Sequence, residues 1–330
     1  MALKVRRIDP LTRADDLKRL FIDNERPEFP EWFDRAYPIA VSRGASAWIL
    51  VDNADTVVGH ISAFAKTWMV GDEAVKGSLL CNLMVDKDHR SFFPTAALMR
   101  RMSSDLRNDG SNFLYSNPLG PGAEAAARAA GLRKIANMNR FLFPIGHDKA
   151  LLHGATGLNL IGRRLLNRGV RAEPTTVEDV VRWTTTVRCR MSPVTPRRHR
   201  DLYFMRAGRL DGDDALAFSL VDGSGGQIGA ALLRLQGTPP REATVLTMRC
   251  LDLGQVPAAA AVLATRLRSM GVRRLNTTAL EESSFAAALV RGGFVQRKEP
   301  WTIAAVGLTG PGEAIVKGMA VSDVEKIDVD

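Results

Sequence analysis

Residues 78–102 read SLLCNLMVDKDHRSFFPTAALMRRM, and the rest of the chain is arranged around this stretch. The apolar run 79–85 has the length of a buried strand, and the polar residues 86–91 after it predict a turn. Pro94 suits the first turn of a helix, where its missing N–H is not needed. Apolar residues then recur at helical spacing: Leu98, Met102 and Leu106. We predict a strand, a turn and a helix whose N-terminus can hold an anion.

Length and composition indicate an ordinary globular protein. The chain has 330 residues, of which 45% are hydrophobic and 25% charged, which is enough for two domains with complete cores. No apolar run approaches the roughly 20 residues that span a bilayer. The N-terminus, MALKVRRIDP, lacks the apolar core of a signal peptide. We therefore expect a cytoplasmic protein without a transmembrane segment.

Cysteine content and charge limit the possible partners. The three cysteines, Cys81, Cys189 and Cys250, are widely spaced, which predicts reduced thiols, no disulfide framework and no metal site. The net charge of +9 favours an anionic partner such as a phosphorylated cofactor, an acidic carrier protein, RNA or a membrane surface. Simple solubility explains the same charge, and the sequence leaves both explanations open.

The second half of the chain repeats the order of the first. Residues 51–59, VDNADTVVG, have a counterpart at identical internal spacing in residues 221–229, VDGSGGQIG. The predicted strand 79–85, which an aspartate follows, is echoed by 245–251, which an aspartate also follows. Each half continues with a helix, a strand and a helix that ends at glycine. An internal duplication with a period of about 165 residues explains this order.

Each half resembles the GNAT (GCN5-related N-acetyltransferase) fold. The markers are CNLMVDKDHR, TAALMRRM and FLYSNP in the first half, and MRCLDL, AVLATRL and ALVRGGFV in the second. The resemblance implies an α/β protein with two tandem GNAT-like domains, each a central mixed β-sheet flanked by helices. We predict a donor-binding domain at 1–146, a helical connector at 147–210, a degenerate second domain at 211–308 and a tail at 309–330.

The resemblance also implies a donor site in the first half. In this family the fourth and fifth strands separate to admit the pantetheine arm of acetyl-CoA or a longer acyl-CoA. A turn of the form (R/Q)-x-x-G-x-(G/A) then binds the pyrophosphate through backbone N–H groups. The implied binding residues are Leu83, Met84, Val85, Arg90, Ser91, Phe92, Phe93, Thr95 and Ala96.

The turn in this chain departs from the family pattern. Phe93 and Thr95 stand where glycines are expected, and Pro94 removes one N–H, although Arg90 is kept. We expect at least one of the two phenylalanines, Phe92 or Phe93, to pack into the core. The equivalent turn of the second half has no basic residue, so we predict that half to be a non-catalytic scaffold.

The candidate catalytic residues follow from the same resemblance. The tyrosine that many GNAT enzymes carry before the Gly-Phe pair is absent from both halves. Tyr115 is the candidate acid for the leaving thiolate, Asn117 the residue that orients the amine, and His89 the base, with Asp86 or Asp88 as alternatives. Turn-forming roles for both aspartates and a packing role for Tyr115 remain open. We expect the remaining candidates, Cys81 and His60, to be buried without a catalytic role.

Three functions are compatible with these residues. The leading one is an N-acyltransferase that acts on an amine of a small molecule, with an amino sugar in cell-surface polysaccharide synthesis as one candidate acceptor. Its donor would be acyl-CoA or acyl-carrier protein, whose acidic surface suits the charge of +9. The first alternative is a Fem-type transferase that uses aminoacyl-tRNA and binds RNA phosphates. The second alternative is a non-catalytic scaffold or regulatory protein with a GNAT fold.

Overall fold

A computed structural model describes residues 3–117, 119–145, 169–186, 194–196, 215–237, 241–299 and 301–319. The strands are β1 Lys4–Ile8, β2 Ser46–Val51, β3 Val57–Val70, β4 Glu73–Val85, β5 Phe113–Ser116, β6 Arg133–Pro144, β7 Arg171–Pro174, β8 Val194–Pro196, β9 Ala215–Val221, β10 Gln227–Gln236, β11 Arg241–Cys250, β12 Val272–Leu280, β13 Val295–Arg297 and β14 Thr302–Gly307. The helices are α1 Ala14–Asp23, α2 Phe29–Ser42, α3 Phe92–Asn108, α4 Pro121–Ala129, α5 Val177–Thr186, α6 Val256–Arg268, α7 Ser284–Arg291 and α8 Gly310–Met319. Of the predicted helical connector at 147–210, only residues 169–186 and 194–196 are described, and they contain the strands β7 and β8 besides the helix α5.

The chain divides into two compact units. The first unit combines residues 1–136 with residues 300–319, and the second is formed by residues 137–299. This grouping describes packing. The division of the sequence at residues 146, 210 and 308 concerns the repeated copies and stays a prediction.

Each unit contains a mixed sheet with the same pattern of strand directions. In the first unit the order is β1-β2-β3-β4-β5-β14, and only the pairing of β4 with β5 is parallel. In the second unit the order is β7-β9-β10-β11-β12-β6, and only the pairing of β11 with β12 is parallel. The predicted α/β class with two mixed sheets is confirmed.

The two sheets exchange their last strands. β6 follows the first copy in sequence, yet its residues 138–144 pair with β12 of the second unit. β14 follows the second copy, yet it pairs with β5 of the first unit, with Ala305 opposite Tyr115. The segment after β14, predicted as a tail, begins with α8, which buries Ile315 and Val316 in the first unit.

The hairpin turns of the two copies are built in the same way. The Asp52 carboxylate accepts hydrogen bonds from the N–H groups of Ala54 and Thr56, each at 2.9 Å. The Asp222 carboxylate accepts from Ser224 and Gly226, also at 2.9 Å each. An aspartate that caps its own turn in this manner fixes the hairpin register. The duplication predicted from the spacing is therefore visible in the backbone hydrogen bonds.

The same comparison corrects one detail of the repeat. The Asp86 N–H donates to the Val58 carbonyl at 2.9 Å, and the Leu251 N–H donates to the Ile228 carbonyl at 2.8 Å. Asp86 is thus equivalent to Leu251 and not to Asp252, as the sequence repeat suggested. The strand ends match, but the second turn differs from the first by one residue in register.

Apolar side chains from helices and strands form a core in each unit. In the first unit α3 buries Leu98, Met99 and Met102 against β2 and β3. In the second unit α6 buries almost its whole length, with Leu263 and Leu267 fully enclosed. No helix in the described part of the chain is long and apolar enough to cross a membrane.

Candidate active site

β4 and β5 separate partway along the first sheet. Their parallel pairing ends at Leu80 and Ser116, and the last link joins the Asn117 N–H to the Leu80 carbonyl at 2.9 Å. β4 continues to Val85, and its residues 82–85 have no β5 partner in the described structure. This separation, which the resemblance implied, leaves one edge of β4 open. An open strand edge offers unpaired N–H and C=O groups to a ligand.

A β-bulge interrupts β4 where the two strands part. Between the pairs His60–Met84 and Ser62–Cys81, one β3 residue faces two residues of β4. One of these two is Asn82, whose φ of +55° lies in the left-handed region. A bulge leaves backbone groups outside the ladder and redirects the strand locally. The irregular backbone of β4 therefore lies at the point where β4 separates from β5.

Four polar side chains form a hydrogen-bonded ring at this bulge. His60 Nδ1 donates to the Asn82 carbonyl at 2.9 Å, and His60 Nε2 lies 3.0 Å from Ser62 Oγ. The Tyr37 hydroxyl lies 2.6 Å from Ser62 Oγ, and Asn82 Nδ2 donates to that hydroxyl at 3.2 Å. Tyr37, His60 and Ser62 are completely buried. We call these four residues the bulge ring.

Burial keeps the bulge ring uncharged. It lowers the pKa of His60 to about 4, although the hydrogen bond to the Asn82 carbonyl works in the opposite direction. Burial also raises the pKa of Tyr37 far above its usual value, with a smaller contribution from Cys81. Near neutral pH both groups are therefore neutral, as expected for polar groups removed from water.

The turn after β4 leads to the N-terminus of α3. Ser91 precedes the helix in an extended conformation, and its side chain makes no capping hydrogen bond. Of the usual four unpaired N–H groups at a helix start, Pro94 removes one. The remaining N–H groups of Ser91, Phe92 and Phe93, together with the helix dipole, favour an anion at this end.

Arg90 is held beside this helix end. Its guanidinium donates to the Asn24 side-chain oxygen at 3.0 Å and to the Val85 carbonyl at 3.3 Å. Asn24 also donates to Asp86 at 3.3 Å. Partial burial works to raise the pKa of Asp86, but the hydrogen bonds from the Asp88 N–H and Asn24, together with the nearby His89 ring, outweigh it, so the pKa is lowered. Asp86 therefore stays ionised near neutral pH.

The expected burial of a turn phenylalanine is wrong. Phe92 is 44% exposed and Phe93 is 78% exposed, and their rings contact each other edge to face at 5.5 Å. The inward face of α3 begins later, at the buried Ala96, so the first two helical residues point away from the core. Of the other turn residues, Thr95 donates to the Ser91 carbonyl at 3.1 Å.

The equivalent turn of the second copy is closed by its own side chains. The Asp252 carboxylate accepts from the Gly254 N–H at 2.5 Å, and the Gln255 side chain accepts from the Asp252 N–H at 3.2 Å. This capping box occupies the N–H groups that would otherwise bind an anion and adds a negative charge. In the first copy the Asp86 carboxylate also accepts from the Asp88 N–H, at 2.9 Å, but no side chain caps the start of α3 at Ser91.

The three predicted catalytic residues lie in two places. Tyr115 is on β5, 1% exposed, with its ring against Trp68 at 5.5 Å, which favours packing. Asn117 follows β5, and its side-chain oxygen is buried without a hydrogen-bond partner among the described residues. His89 lies in the turn after β4, with Nδ1 3.6 Å from Asp86. Their catalytic roles remain predictions.

The remaining strand residues lie at the bulge and beyond it. Leu83 and Met84 are half-buried, Val85 is buried, and Cys81 is buried as expected. Sequence reasoning did not find Tyr37, Ser62 or Asn82 as members of the site. The one available signal was Asn82 itself, because asparagine is rare within an apolar strand.

Comparisons with solved structures identify the fold. No family model and no curated protein matches the chain. A GCN5-related N-acetyltransferase from Kribbella flavida is 16% identical, with a TM-score of 0.63, and the match covers 94% of this chain and 73% of that one. A tandem GNAT protein from the clavulanic acid biosynthesis pathway is 16% identical, with a TM-score of 0.56, and the match covers 93% and 99%.

A third structure, N-myristoyltransferase of Saccharomyces cerevisiae with bound myristoyl-CoA, is 13% identical, with a TM-score of 0.54. That match covers 92% of this chain and 78% of the yeast chain. At these identities the likeness concerns the fold. The chain has a tandem GNAT fold, as the duplication and the order of elements predicted.

Proposed function

We propose that this chain is an N-acyltransferase that binds an acyl-CoA at the first copy and transfers the acyl group to an amine of a small molecule. One observation carries the proposal: the open edge of β4, with its bulge at Asn82, leads directly to the uncapped N-terminus of α3. The strand edge can pair with the amide groups of the pantetheine arm, and the helix N-terminus can bind the phosphates. An acyl-CoA carries these groups in the same order.

The residues at the strand separation fit the pantetheine arm. The side-chain oxygen of Asn117 is a buried acceptor without a partner in the described structure, and an unpaired buried acceptor costs about 1–3 kcal/mol. Pantetheine carries amide N–H groups that would satisfy it. Backbone groups of β4 beyond the bulge, at residues 83–85, offer the matching pairs along the arm, as an added strand would.

The residues at the turn fit a pyrophosphate less completely. Arg90 supplies one positive charge, and the N–H groups of Ser91, Phe92 and Phe93 supply donors. Phe93 and Pro94 replace the glycine-rich wrap of the family with a bulkier turn that has one donor fewer. We therefore expect the turn to contact the phosphates on one side only. The affinity for the pyrophosphate should be weaker than with the glycine-rich turn of the family.

The chain's own contribution to the reaction is the polarisation of the acyl carbonyl. When bound, acyl-CoA supplies a thioester open to attack by an amine and a thiolate that leaves. Backbone N–H groups freed by the bulge would donate to the carbonyl oxygen as negative charge develops there. A single preorganised donor of this kind contributes about 10²–10³-fold to a rate.

The second copy supports the first without binding a donor. Its capping box satisfies the turn with the side chains of Asp252 and Gln255 and adds a carboxylate that would repel a phosphate. The acceptor is the least specified part of the proposal. An amino sugar used in cell-surface polysaccharide synthesis is the candidate that the sequence resemblance supplies.

Thermal unfolding with a panel of donors tests the proposal. Acetyl-CoA, a long-chain acyl-CoA, acyl-carrier protein and bulk tRNA are added separately to the full chain. A donor at 100 times its dissociation constant stabilises the folded chain by about 2.7 kcal/mol. We expect stabilisation by an acyl-CoA, and acyl transfer from the same donor to an amine, followed by release of free thiol.

Two arginine variants in α3 and its turn provide the control. Arg90→Ala removes the cation beside the helix N-terminus and should abolish the stabilisation. Arg107→Ala removes an exposed cation from the last turn of the same 17-residue helix, about 20 Å away, and should not. A salt-sensitive response to tRNA alone would favour the Fem-type transferase. No response to any donor would favour the scaffold.

A further inference from the structure

One arrangement of protons uses the shorter hydrogen bonds of the bulge ring and leaves the longer contact of 3.4 Å between the Tyr37 hydroxyl and His60 Nε2 unused. A carbonyl oxygen only accepts, so the His60 Nδ1 beside the Asn82 carbonyl must carry a proton. Neutral His60 then accepts at Nε2, which requires the Ser62 hydroxyl to donate to it at 3.0 Å. The Tyr37 hydroxyl donates in turn to Ser62 at 2.6 Å and accepts from the Asn82 amide at 3.2 Å.

The ring therefore begins and ends on one residue. The Asn82 side-chain amide donates into it, and the Asn82 backbone carbonyl accepts from it. Between these two points the path passes through side chains of α2 and β3 that are fully enclosed. The hydrogen bond to Tyr37 fixes the side chain of Asn82, and the hydrogen bond from His60 fixes its backbone carbonyl. A non-glycine residue in the left-handed region is held there by such contacts, because the conformation itself is disfavoured.

We propose that Tyr37, Ser62 and His60 are positioning residues that hold Asn82 in its left-handed conformation and thereby aim the backbone N–H groups of the bulge at the acyl carbonyl. The inference rests on the proposed function, since it assigns the device that prepares that site. None of the three side chains touches the substrate. They act through Asn82, whose displacement would move the donors of the bulge relative to the reacting carbon.

Removal of single hydroxyl groups tests the ring. Ser62→Ala and Tyr37→Phe each delete one oxygen and leave the apolar packing largely unchanged. We expect kcat to fall about 10- to 100-fold, since a small misplacement of a catalytic donor has effects of this size. The dissociation constant of the acyl-CoA should stay nearly unchanged, because the phosphates bind at the start of α3 and the arm binds along β4 beyond the bulge. A general loss of structure would change both quantities.

Ser103→Ala is the matched control. Ser103 is a buried serine of α3 in the same unit, outside the bulge ring, and its hydroxyl has no hydrogen-bond partner in the described structure. This variant should keep the wild-type kcat and binding. Urea unfolding of all three variants identifies any that has lost its fold. If Ser62→Ala and Tyr37→Phe are folded and keep the kcat of Ser103→Ala, the positioning role is refuted.

A second readout does not depend on activity. The backbone chemical shifts of Asn82 report its φ angle, and we expect them to move away from left-handed values in Ser62→Ala and Tyr37→Phe but not in Ser103→Ala. If the wild-type chain neither binds nor uses any acyl-CoA, the proposed function fails and these shifts alone decide the ring. If the Asn82 chemical shifts change in Ser62→Ala and Tyr37→Phe, the bulge ring holds the conformation of Asn82. If they stay at the wild-type values, this role of the bulge ring is refuted.

Discussion

Lowering the pH should destabilise this chain through His60. The pKa of His60 in the folded chain is about 4, below the value of about 6.5 for an exposed histidine, because the ring is buried. Between these two values the unfolded chain binds a proton that the folded chain does not. The stabilisation is therefore complete above pH 6.5 and is lost as the pH falls toward 4.

The size of this effect follows from the pKa difference. A difference of about 2.5 units, at about 1.36 kcal/mol each, corresponds to about 3 kcal/mol of unfolding free energy. In the folded chain His60 gains its proton only near pH 4, where a second donor would lie against Ser62 and disturb the bulge ring. The loss of about 3 kcal/mol is a large part of the stability of an ordinary domain.

Urea unfolding of wild type and His60→Asn between pH 8 and pH 4 measures it. Asparagine keeps an amide donor near the Asn82 carbonyl and does not titrate, so the variant should lack this pH dependence. All carboxylates titrate in both chains and cancel in the difference. We expect the stability advantage of wild type over the variant to decrease by about 3 kcal/mol from pH 8 to pH 4. A difference that stays constant across this interval would refute the burial argument.

Three further substitutions test separate parts of the structure. Pro94→Ala restores an N–H at the start of α3 and should tighten acyl-CoA binding by about 0.5–1.5 kcal/mol in a calorimetric titration, since it adds one hydrogen bond. Asp252→Ala opens the capping box of the second copy and should lower the unfolding free energy by about 1 kcal/mol, while calorimetry still finds one acyl-CoA per chain. Gly312→Ala places a methyl group against the Asn112 carbonyl and should lower the unfolding free energy by about 1–3 kcal/mol in urea, because α8 is packed on β5.

Local patterns were sufficient to predict the repeated fold. The aspartates of the two hairpin turns, Asp52 and Asp222, have the same spacing in sequence and cap the same N–H groups in the structure. The strand, turn and helix of residues 78–102 follow from apolar periodicity. Such features depend on neighbours within a few residues, so one sequence contains the information needed to find them.

Features that depend on distant partners were not predictable. The bulge ring brings together a helix residue, Tyr37, with strand residues that lie 23 to 45 positions away. The exchange of β6 and β14 depends on which sheet edge each strand completes, which no local pattern encodes. The exposure of Phe93 was missed because its composition suggests a core, whereas its position at the helix start directs it outward.

Binding of acetyl-CoA to a pair of Ser91 variants tests the central claim most directly. Aspartate and asparagine both favour the residue before a helix, so neither Ser91→Asp nor Ser91→Asn should destabilise α3. The two side chains have nearly the same shape and differ in one negative charge. A carboxylate about 5 Å from a phosphate repels it by about 3 kcal/mol at an effective dielectric constant of 20, before screening by salt.

Calorimetric titration of both variants then gives the answer. If the acyl-CoA pyrophosphate binds at the N-terminus of α3, Ser91→Asp should bind acetyl-CoA at least about tenfold more weakly than Ser91→Asn, which corresponds to about 1.4 kcal/mol. Ser91→Asn should remain close to wild type. Equal dissociation constants for the two variants would contradict a donor site in the first copy.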